Sequence, residues 1–579
     1  MTSNCGSSSI INNINPPIPK WQLALVVGVP VVLGLGYIYY RSNTKPSLKP
    51  GRGQSEDTVK DNCTKADKQV SIVGDVFSCT ERSFESTLEK AQSFKQAGNK
   101  YFNDGKYHEA IAYYNKAIET CTNENPENLS VFYQNRAAAY EKLNNYGMVM
   151  ADCTNALELN PRYVKALIRR SRALERTNSL ETALEDVTAA CILEQFTNDT
   201  SLMLADKLLK QLGRKHAQEF MATKKSVMPS KHFIRTYLEA FRNDPILIEL
   251  DSTSKIIPTY FSEVIQAVRN QDYENVISYC TEKIENLQAD TVSKYKLHLL
   301  RGTFYLLLGE HDNAISDLNM IITTKSVVKE LKVNALIKRA SIHVQLEHPE
   351  KSFCDFDMAI ELDPNCGDIY HNRAQVNLLL ERIKEAKEDF EKAVELHPDS
   401  GLIYVQKCYA NYRYGASKKD VSLIATAMSD FQKAFEKFPD CSECYTLYAQ
   451  MLCDSQEYEK ADYFFSKAME KDPMNATIHV HRGLLQLRWN SDIEKAVVHI
   501  KKALELDEKC EFGYETLGTI EVQRGNLREA IRLFNKALML GRTAMEVTHI
   551  FSLKDAAKTQ ITVSKRLGMG LASNMHLIS

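Results

Sequence analysis

The 579-residue chain has almost no excess of charge of either sign: 72 lysines and arginines stand against 74 aspartates and glutamates, a formal net charge of -2. A nucleic-acid-binding surface is strongly basic, so nucleic acid is not an expected partner. Paired cysteine motifs are almost missing. Cys441-Ser-Glu-Cys444 is the single CxxC, and without a second ligand pair it reads as the start of a helix, with no metal expected. The 14 cysteines are scattered through helical patterns, which suits buried thiols in a reducing compartment better than a disulfide framework. No Walker loop, nucleophile elbow or kinase motif occurs, and no stretch outside the repeats is long enough for a catalytic domain with its own core. Neither an enzyme nor a cofactor is expected.

Long hydrophobic runs are missing too, with one exception. Trp21 to Tyr40 carries no charge and is long enough to cross a bilayer as a helix. Trp21 at one end and Tyr37, Tyr39 and Tyr40 at the other suit the two interfaces. Lys20 precedes the run, whereas Arg41, Lys45, Lys49 and Arg52 follow it, so the long C-terminal part is expected in the cytosol. A cleaved signal peptide is the rival reading, but a mostly polar segment precedes Lys20 and the basic charge follows the run. The expectation is a short N-terminal segment (1–20), a single-pass anchor (21–40) and a polar, flexible tether (41–85).

What the chain has in abundance is internal repetition. Gly98, Tyr101, Ala110, Tyr114 and Ala117 form a ladder of small and aromatic residues. It returns in part as Ala374, Ala386, Phe390 and Ala393, then as Ala449, Ala461, Phe465 and Ala468, and then as Gly518, Ala530, Phe534 and Ala537. Small residues let two antiparallel helices approach closely, and aromatics fill the gap to the next pair. Pro161, Pro364, Pro398, Pro439 and Pro473 stand where a second helix must stop. Units recur about every 34 residues, the tetratricopeptide (TPR) period. The expected fold is therefore all-α, a superhelical TPR solenoid of about 11 repeats in two arrays. Three repeats fall in 86–197 and eight in 257–543, with an insertion around Gly415 to Ser422. Between them 198–256 reads as a helical joint, and 544–579 as a closing helix.

A TPR array binds peptides or proteins, and its specificity comes from the inner face. Lys95 and Asn99 are four residues apart on one helix, Asn135 lies on the first helix of the next unit, and Lys165 and Arg169 are four apart on that of the third. Stacking brings these helices side by side. Three cations and two amides then form a cradle suited to an acidic C terminus. At equivalent positions the second array has an apolar lining: Leu299, Leu306, Ile337, Val344, Leu378, Tyr409, Tyr412 and Leu484. These suggest a groove for hydrophobic or amphipathic client segments. The opposing expectation is that the superhelix closes on itself and packs these side chains as core.

The motifs Lys95-x3-Asn99, Gln134-Asn135-Arg136 and Lys165-x3-Arg169 resemble the dicarboxylate clamp of TPR co-chaperones, which hold the Glu-Glu-Val-Asp ending of cytosolic heat-shock chaperones. That resemblance implies that Lys95, Asn99 and Asn135 hold the terminal carboxylate, while Lys165 and Arg169 reach the last side-chain carboxylate and the backbone. Anchor, tether, clamp array, joint (around Met228-Pro-Ser-Lys-His-Phe-Ile-Arg-Thr-Tyr-Leu) and eight-unit array together resemble the seventy-kilodalton TPR receptor class of the mitochondrial outer-membrane translocase. Its implied partners are heat-shock chaperones of the seventy- and ninety-kilodalton classes, mitochondrial precursor proteins with internal targeting signals, and other translocase subunits. The implied location is the mitochondrial outer membrane. The alternatives are a chaperone adaptor or an assembly scaffold on another cytosol-facing membrane.

Overall fold

A computed structural model describes residues 87–121, 125–251, 259–287 and 292–569. The expected anchor, the segment before it and the tether all lie outside the described residues. Regular structure among the described residues is helical throughout. None of the described helices is long and apolar enough to cross a membrane. The chain divides into two compact units, the first ending at Leu193 and the second running on from Glu194.

The first unit consists of three antiparallel hairpins: α1 (Thr87–Asn103) with α2 (Tyr107–Thr120), α3 (Pro126–Lys142) with α4 (Tyr146–Leu159), and α5 (Val164–Arg176) with α6 (Leu180–Leu193). The small-aromatic ladder has the expected use. A Cβ at Gly98 would stand 2.6 Å from the Tyr114 ring, and Ala110 and Ala117 are fully buried beside it. Each hairpin turns through a residue in the left-handed region: Gly105 (φ +75), Asn144 (φ 56) and Asn178 (φ 60), residue types that adopt it with little strain.

A second repeating device links the helices. Arg136 Nε and Nη2 donate to the two oxygens of Asp152 at 2.8 and 2.6 Å, and its Nη1 reaches back to Asn115 of α2 at 2.7 Å. Arg170 repeats the fork on Asp186, again sixteen residues on, and reaches back to Thr154 of α4. Each guanidinium therefore ties three consecutive helices through planar, charge-assisted bonds that side chains of other shapes cannot copy.

The second unit opens with α7 (Asp199–Met221), α8 (Lys231–Glu239) and α9 (Pro245–Asp251). The hairpins that follow are α10 (Thr259–Arg269) with α11 (Val276–Asn286), α12 (Val292–Leu308) with α13 (His311–Thr323), α14 (Lys329–Gln345) with α15 (Pro349–Leu362), and α16 (Gly367–Leu379) with α17 (Ile383–Leu396). Next come α18 (Gly401–Lys418) with α19 (Val421–Lys437), α20 (Ser442–Asp454) with α21 (Tyr458–Lys471), α22 (Ala476–Asn490) with α23 (Ile493–Leu506), and α24 (Glu511–Gln523) with α25 (Leu527–Leu540). The arginine fork recurs here as Arg301 on Asp317 and Arg373 on Asp389. The insertion near Gly415 lengthens α18 to 18 residues, and Asp420 then caps α19 by accepting from Ser422 N and Leu423 N.

The segment expected to act as a joint packs instead within the second unit. α7 runs along the final helix α26 (Ala544–Arg566): Ser552 Oγ donates to the Leu209 carbonyl at 3.1 Å, and His216 Nδ1 lies 2.8 Å from Asp555 Oδ2. Beyond α7 the chain enters the core. Met228, Ile234, Tyr237, Phe241 and Ile246 belong to one buried cluster with Leu299, Ile337 and Leu378. Polar ties hold it there. Lys338 Nζ meets Asp244 Oδ2 at 2.6 Å with both side chains almost fully buried, and Asp368 accepts from the backbone N of Arg242 and of Asn243.

Candidate functional site

The first unit brings the expected clamp residues onto α1, α3 and α5. Lys95 and Asn99 stand one turn apart on α1, as Lys165 and Arg169 do on α5. Tyr114 donates its hydroxyl to Asn99 Oδ1 at 2.8 Å, and Asn135 Nδ2 donates to the same oxygen at 3.3 Å. Burial pushes the Tyr114 hydroxyl up to about 12, so it stays a donor at any ordinary pH. With its oxygen doubly occupied, Asn99 has its NH2 group left to donate elsewhere. A carboxylate, which only accepts, matches that remaining capacity.

Arg169 is held by α3. Its Nε donates to Glu141 Oε2 at 2.8 Å, and its Nη1 lies 3.4 Å from the Gln134 carbonyl, next in sequence to Asn135. Lys95 is half-buried and Lys165 exposed; neither has an ion-pair partner among the described residues. Asn99, Asn135 and Arg169 are thus joined into one polar surface, with the two lysines on its flanks. Glu141 was not foreseen. Nothing in the spacing of Glu141 and Arg169, 28 residues apart, announces that their helices bring them together.

The expected groove of the second unit turns out differently. Leu299, Leu306, Ile337, Val344, Leu378 and Tyr409 are buried in the main core cluster, where α8 and the chain on either side of it pack against the same cluster. They are packed as core and present no open groove, the outcome of the competing expectation. The physical reason is that the inner face is covered by residues 228–246 of the same chain. Tyr412 and Leu484 stay half-buried, and Leu484 borders a small cavity beside Asp454, His481 and Arg488. Arg373, on α16 beside Leu378, is committed to Asp389.

A larger cavity, about 230 Å³, lies elsewhere in this unit. It is bounded by the α7–α8 connection (Val227 to Ser230), by α8, and by the first turns of α20, α22 and α24. None of the apolar positions expected to form the groove lines it; Leu402, at the start of α18, does. The chain's described cysteines are free thiols, and no described group of three or more His, Cys, Asp or Glu side chains could hold a metal.

Comparison with known proteins finds both a repeat family and full-length relatives. The tetratricopeptide repeat family matches residues 91–123 and 367–400. The human mitochondrial import receptor subunit TOM70 is 42% identical over 573 residues, covering 95% of this chain and 93% of that protein. Its rat counterpart is 41% identical over 572 residues, with the same coverage of both chains. The crystal structure of yeast Tom70 aligns at 24% identity over 83% of this chain and 99% of that one, with a TM-score of 0.47.

Proposed function

The chain belongs to the TOM70 family of mitochondrial import receptors, which are receptors and not enzymes, and from that premise we propose that it docks cytosolic heat-shock chaperones through their acidic C termini. In this reading it sits in the mitochondrial outer membrane by the Trp21–Tyr40 segment, with both units in the cytosol. The second unit binds precursor proteins that the chaperones deliver, including those with internal targeting signals, for transfer to other translocase subunits. The family favours this over an adaptor on another membrane.

The observation that carries the docking reading is the amide pair Asn99–Asn135, oriented by Tyr114 and flanked by Lys95, Lys165 and Arg169. A terminal carboxylate entering here meets the NH2 group of Asn99 and the remaining N–H of Asn135, whose other N–H goes to Asn99 Oδ1, with the Lys95 ammonium beside them. A side-chain carboxylate reaching Arg169 replaces Glu141. That exchange swaps one carboxylate for another on a half-exposed guanidinium, so little desolvation opposes it. Lys165, one turn before Arg169, adds a cation for the same group. This chemistry suits an acidic C terminus, and the resemblance to the co-chaperone clamp implies the seventy- and ninety-kilodalton proteins that end in Glu-Glu-Val-Asp.

Calorimetry of the full chain with a peptide ending in Glu-Glu-Val-Asp tests the reading. Binding that is lost on amidation of the peptide's C terminus, and in Arg169→Ala, supports it. A parent chain that takes no heat with the peptide, or binds the amidated form as well, overturns it.

A further inference from the structure

In successive repeats of the second unit the first helix starts in the same way, and one of these starts carries two thiols. The N-cap residues are Cys366 of α16, Ser400 of α18, Cys441 of α20, Asn475 of α22 and Cys510 of α24. Ser400 and Asn475 each accept a backbone N–H of the first turn, whereas the cysteine side chains cap nothing, sulfur being a weak acceptor. Three residues further on stand Ile369, Ile403, Cys444, Ile478 and Gly513. The isoleucines are buried, so this position serves the core. Among these helices α20 alone has a thiol in the isoleucine's place, which creates the Cys441-Ser-Glu-Cys444 motif.

The two sulfurs differ from those of the neighbouring repeats and from each other. Cys366 and Cys510 are buried, and burial pushes both thiols up to about 12. Cys441 is half-buried; with the exposed Cys354 it is one of the described thiols that water reaches. Cys444 is fully buried, and its backbone N donates to the Cys441 carbonyl at 3.1 Å, so the first turn sets the two side chains on one face. A hydrogen bond to the Cys441 sulfur, and then burial, hold the Cys444 thiol well above its ordinary value. Of the two protons, the one on Cys441 therefore leaves first. Cys441 Sγ donates to Glu443 Oε2 at 3.5 Å, so that proton faces a carboxylate, and the N-terminal end of α20 favours negative charge on the sulfur left behind. An accessible sulfur in contact with a sheltered second thiol is what dithiol chemistry requires.

We propose that Cys441 and Cys444 form a modification site, a dithiol that hydroperoxides oxidise to an intramolecular disulfide and that external thiols reduce again. Cys441 Sγ attacks the terminal oxygen of the hydroperoxide: an S–O bond forms, the O–O bond breaks, and the thiol proton leaves with the alcohol or water. Cys444 Sγ then attacks the Cys441 sulfur. The S–S bond forms, the S–O bond breaks, and water departs with the Cys444 proton. The pair gives up two electrons and the hydroperoxide takes them. Two external thiols return them by exchange and become a disulfide themselves. Closing the ring over the first turn of α20 also removes the Cys441 donor from Glu443. In a reducing compartment the resting pair is the dithiol, so the bond records exposure to peroxide.

The test treats the reduced full chain with limiting hydrogen peroxide, alkylates the remaining thiols and reads the peptides by mass spectrometry. The tryptic peptide 438–460 is expected to lose two alkylation sites as Cys441 and Cys444 join, and dithiothreitol should restore both, while Cys366 and Cys510 stay reduced. Cys444→Ala should replace the disulfide by a Cys441 sulfenic acid, trapped with dimedone. Cys441→Ser, which supplies a better N-cap, should leave Cys444 unreacted. A parent chain in which Cys441 and Cys444 both remain alkylatable after Cys354 has been oxidised overturns the proposal. So does a bond that joins either of them to Cys408, whose sulfur lies near Cys444, or oxidation of Cys444 that persists in Cys441→Ser. The parent chain decides the matter by itself, whether or not a variant folds.

Discussion

At equivalent inner-face positions the first unit carries Gln92, Lys95, Asn99 and Lys165, and the second carries Leu299, Leu306, Ile337 and Leu378. The four residues of the first unit are exposed or half-buried; the four of the second are buried in the main core. Yet the hairpins are alike, down to Gly98 under Tyr114 and Gly518 under Phe534, where an added Cβ meets the ring at 2.6 Å in both. The arginine fork also recurs in both. The repeat therefore specifies how helices stack and leaves open what its inner face does. Polar side chains keep that face in water, ready for an ionic ligand. Apolar ones require a cover, and the chain supplies it from residues 228–246. The open cavity of the second unit lies instead at the ends of helices.

The contrast can be broken most forcefully at the cover. Lys338→Ala leaves Asp244 buried without its cation, and the second unit is expected to lose about 3–5 kcal/mol. Denaturant unfolding of the full chain should show this, with affinity for the acidic C-terminal peptide untouched. Equal weakening of both would mean the two inner faces are not independent. Next in size is Arg169→Ala. Its expected cost in peptide affinity is about 2 kcal/mol, roughly a thirtyfold change read by calorimetry, with unfolding of the second unit unaltered.

A smaller effect isolates orientation from charge. Tyr114→Phe keeps the ring packed on Gly98 but removes the donor to Asn99 Oδ1. About 1 kcal/mol of peptide affinity should go, without any change in how binding falls with salt. A steeper or flatter salt dependence would show that the tyrosine does more than aim the amide. The smallest effect is at the cavity. Glu511 has its folded pKa raised, first by burial and then by Glu546 and Glu515, so its ionised form is disfavoured in the folded chain. Its contribution is complete below the ordinary glutamate value near ~4.3 and is lost as pH rises through the folded value. Glu511→Gln should consequently stabilise the second unit at neutral pH, with the gain fading toward pH ~4. Thermal unfolding at the two pH values reads it, and a destabilised variant at neutral pH would count against the strain ascribed to Glu511.

Much of this was legible in the residues. The small-aromatic ladder, the prolines after second helices and the recurrence of about 34 residues locate the hairpins because each reports a local steric requirement. The placement of the proposed clamp residues was legible for a similar reason: Lys95 with Asn99 and Lys165 with Arg169 share helix faces by spacing alone. Glu141 was not, since its meeting with Arg169 depends on how neighbouring hairpins stack. The covered groove was only half legible. Apolar periodicity says that a face must be hidden from water and does not say by what. A clue did exist in the segment taken for a joint. Phe233, Ile234, Tyr237, Leu238 and Phe241 recur at helical spacing, a stripe that a solvent-exposed connection has no use for. The arginine fork was equally visible as Arg-x15-Asp, but only the geometry of a hairpin gives that interval meaning.

The pairing of α7 with α26 has a consequence for how the protein is made. His216 and Asp555, 2.8 Å apart, are separated by 339 residues, so the first helix of the second unit waits for the last one to emerge from the ribosome. An open-ended repeat stack can be stopped at many points and still present finished modules. This unit cannot, because its two ends are each other's cap. Until α26 is synthesised, the apolar side of α7 stays uncovered and available to holding chaperones, and a chain truncated before Ala544 carries that signal permanently. The pairing of α7 with α26 thereby ties the closing of this unit to the synthesis of α26.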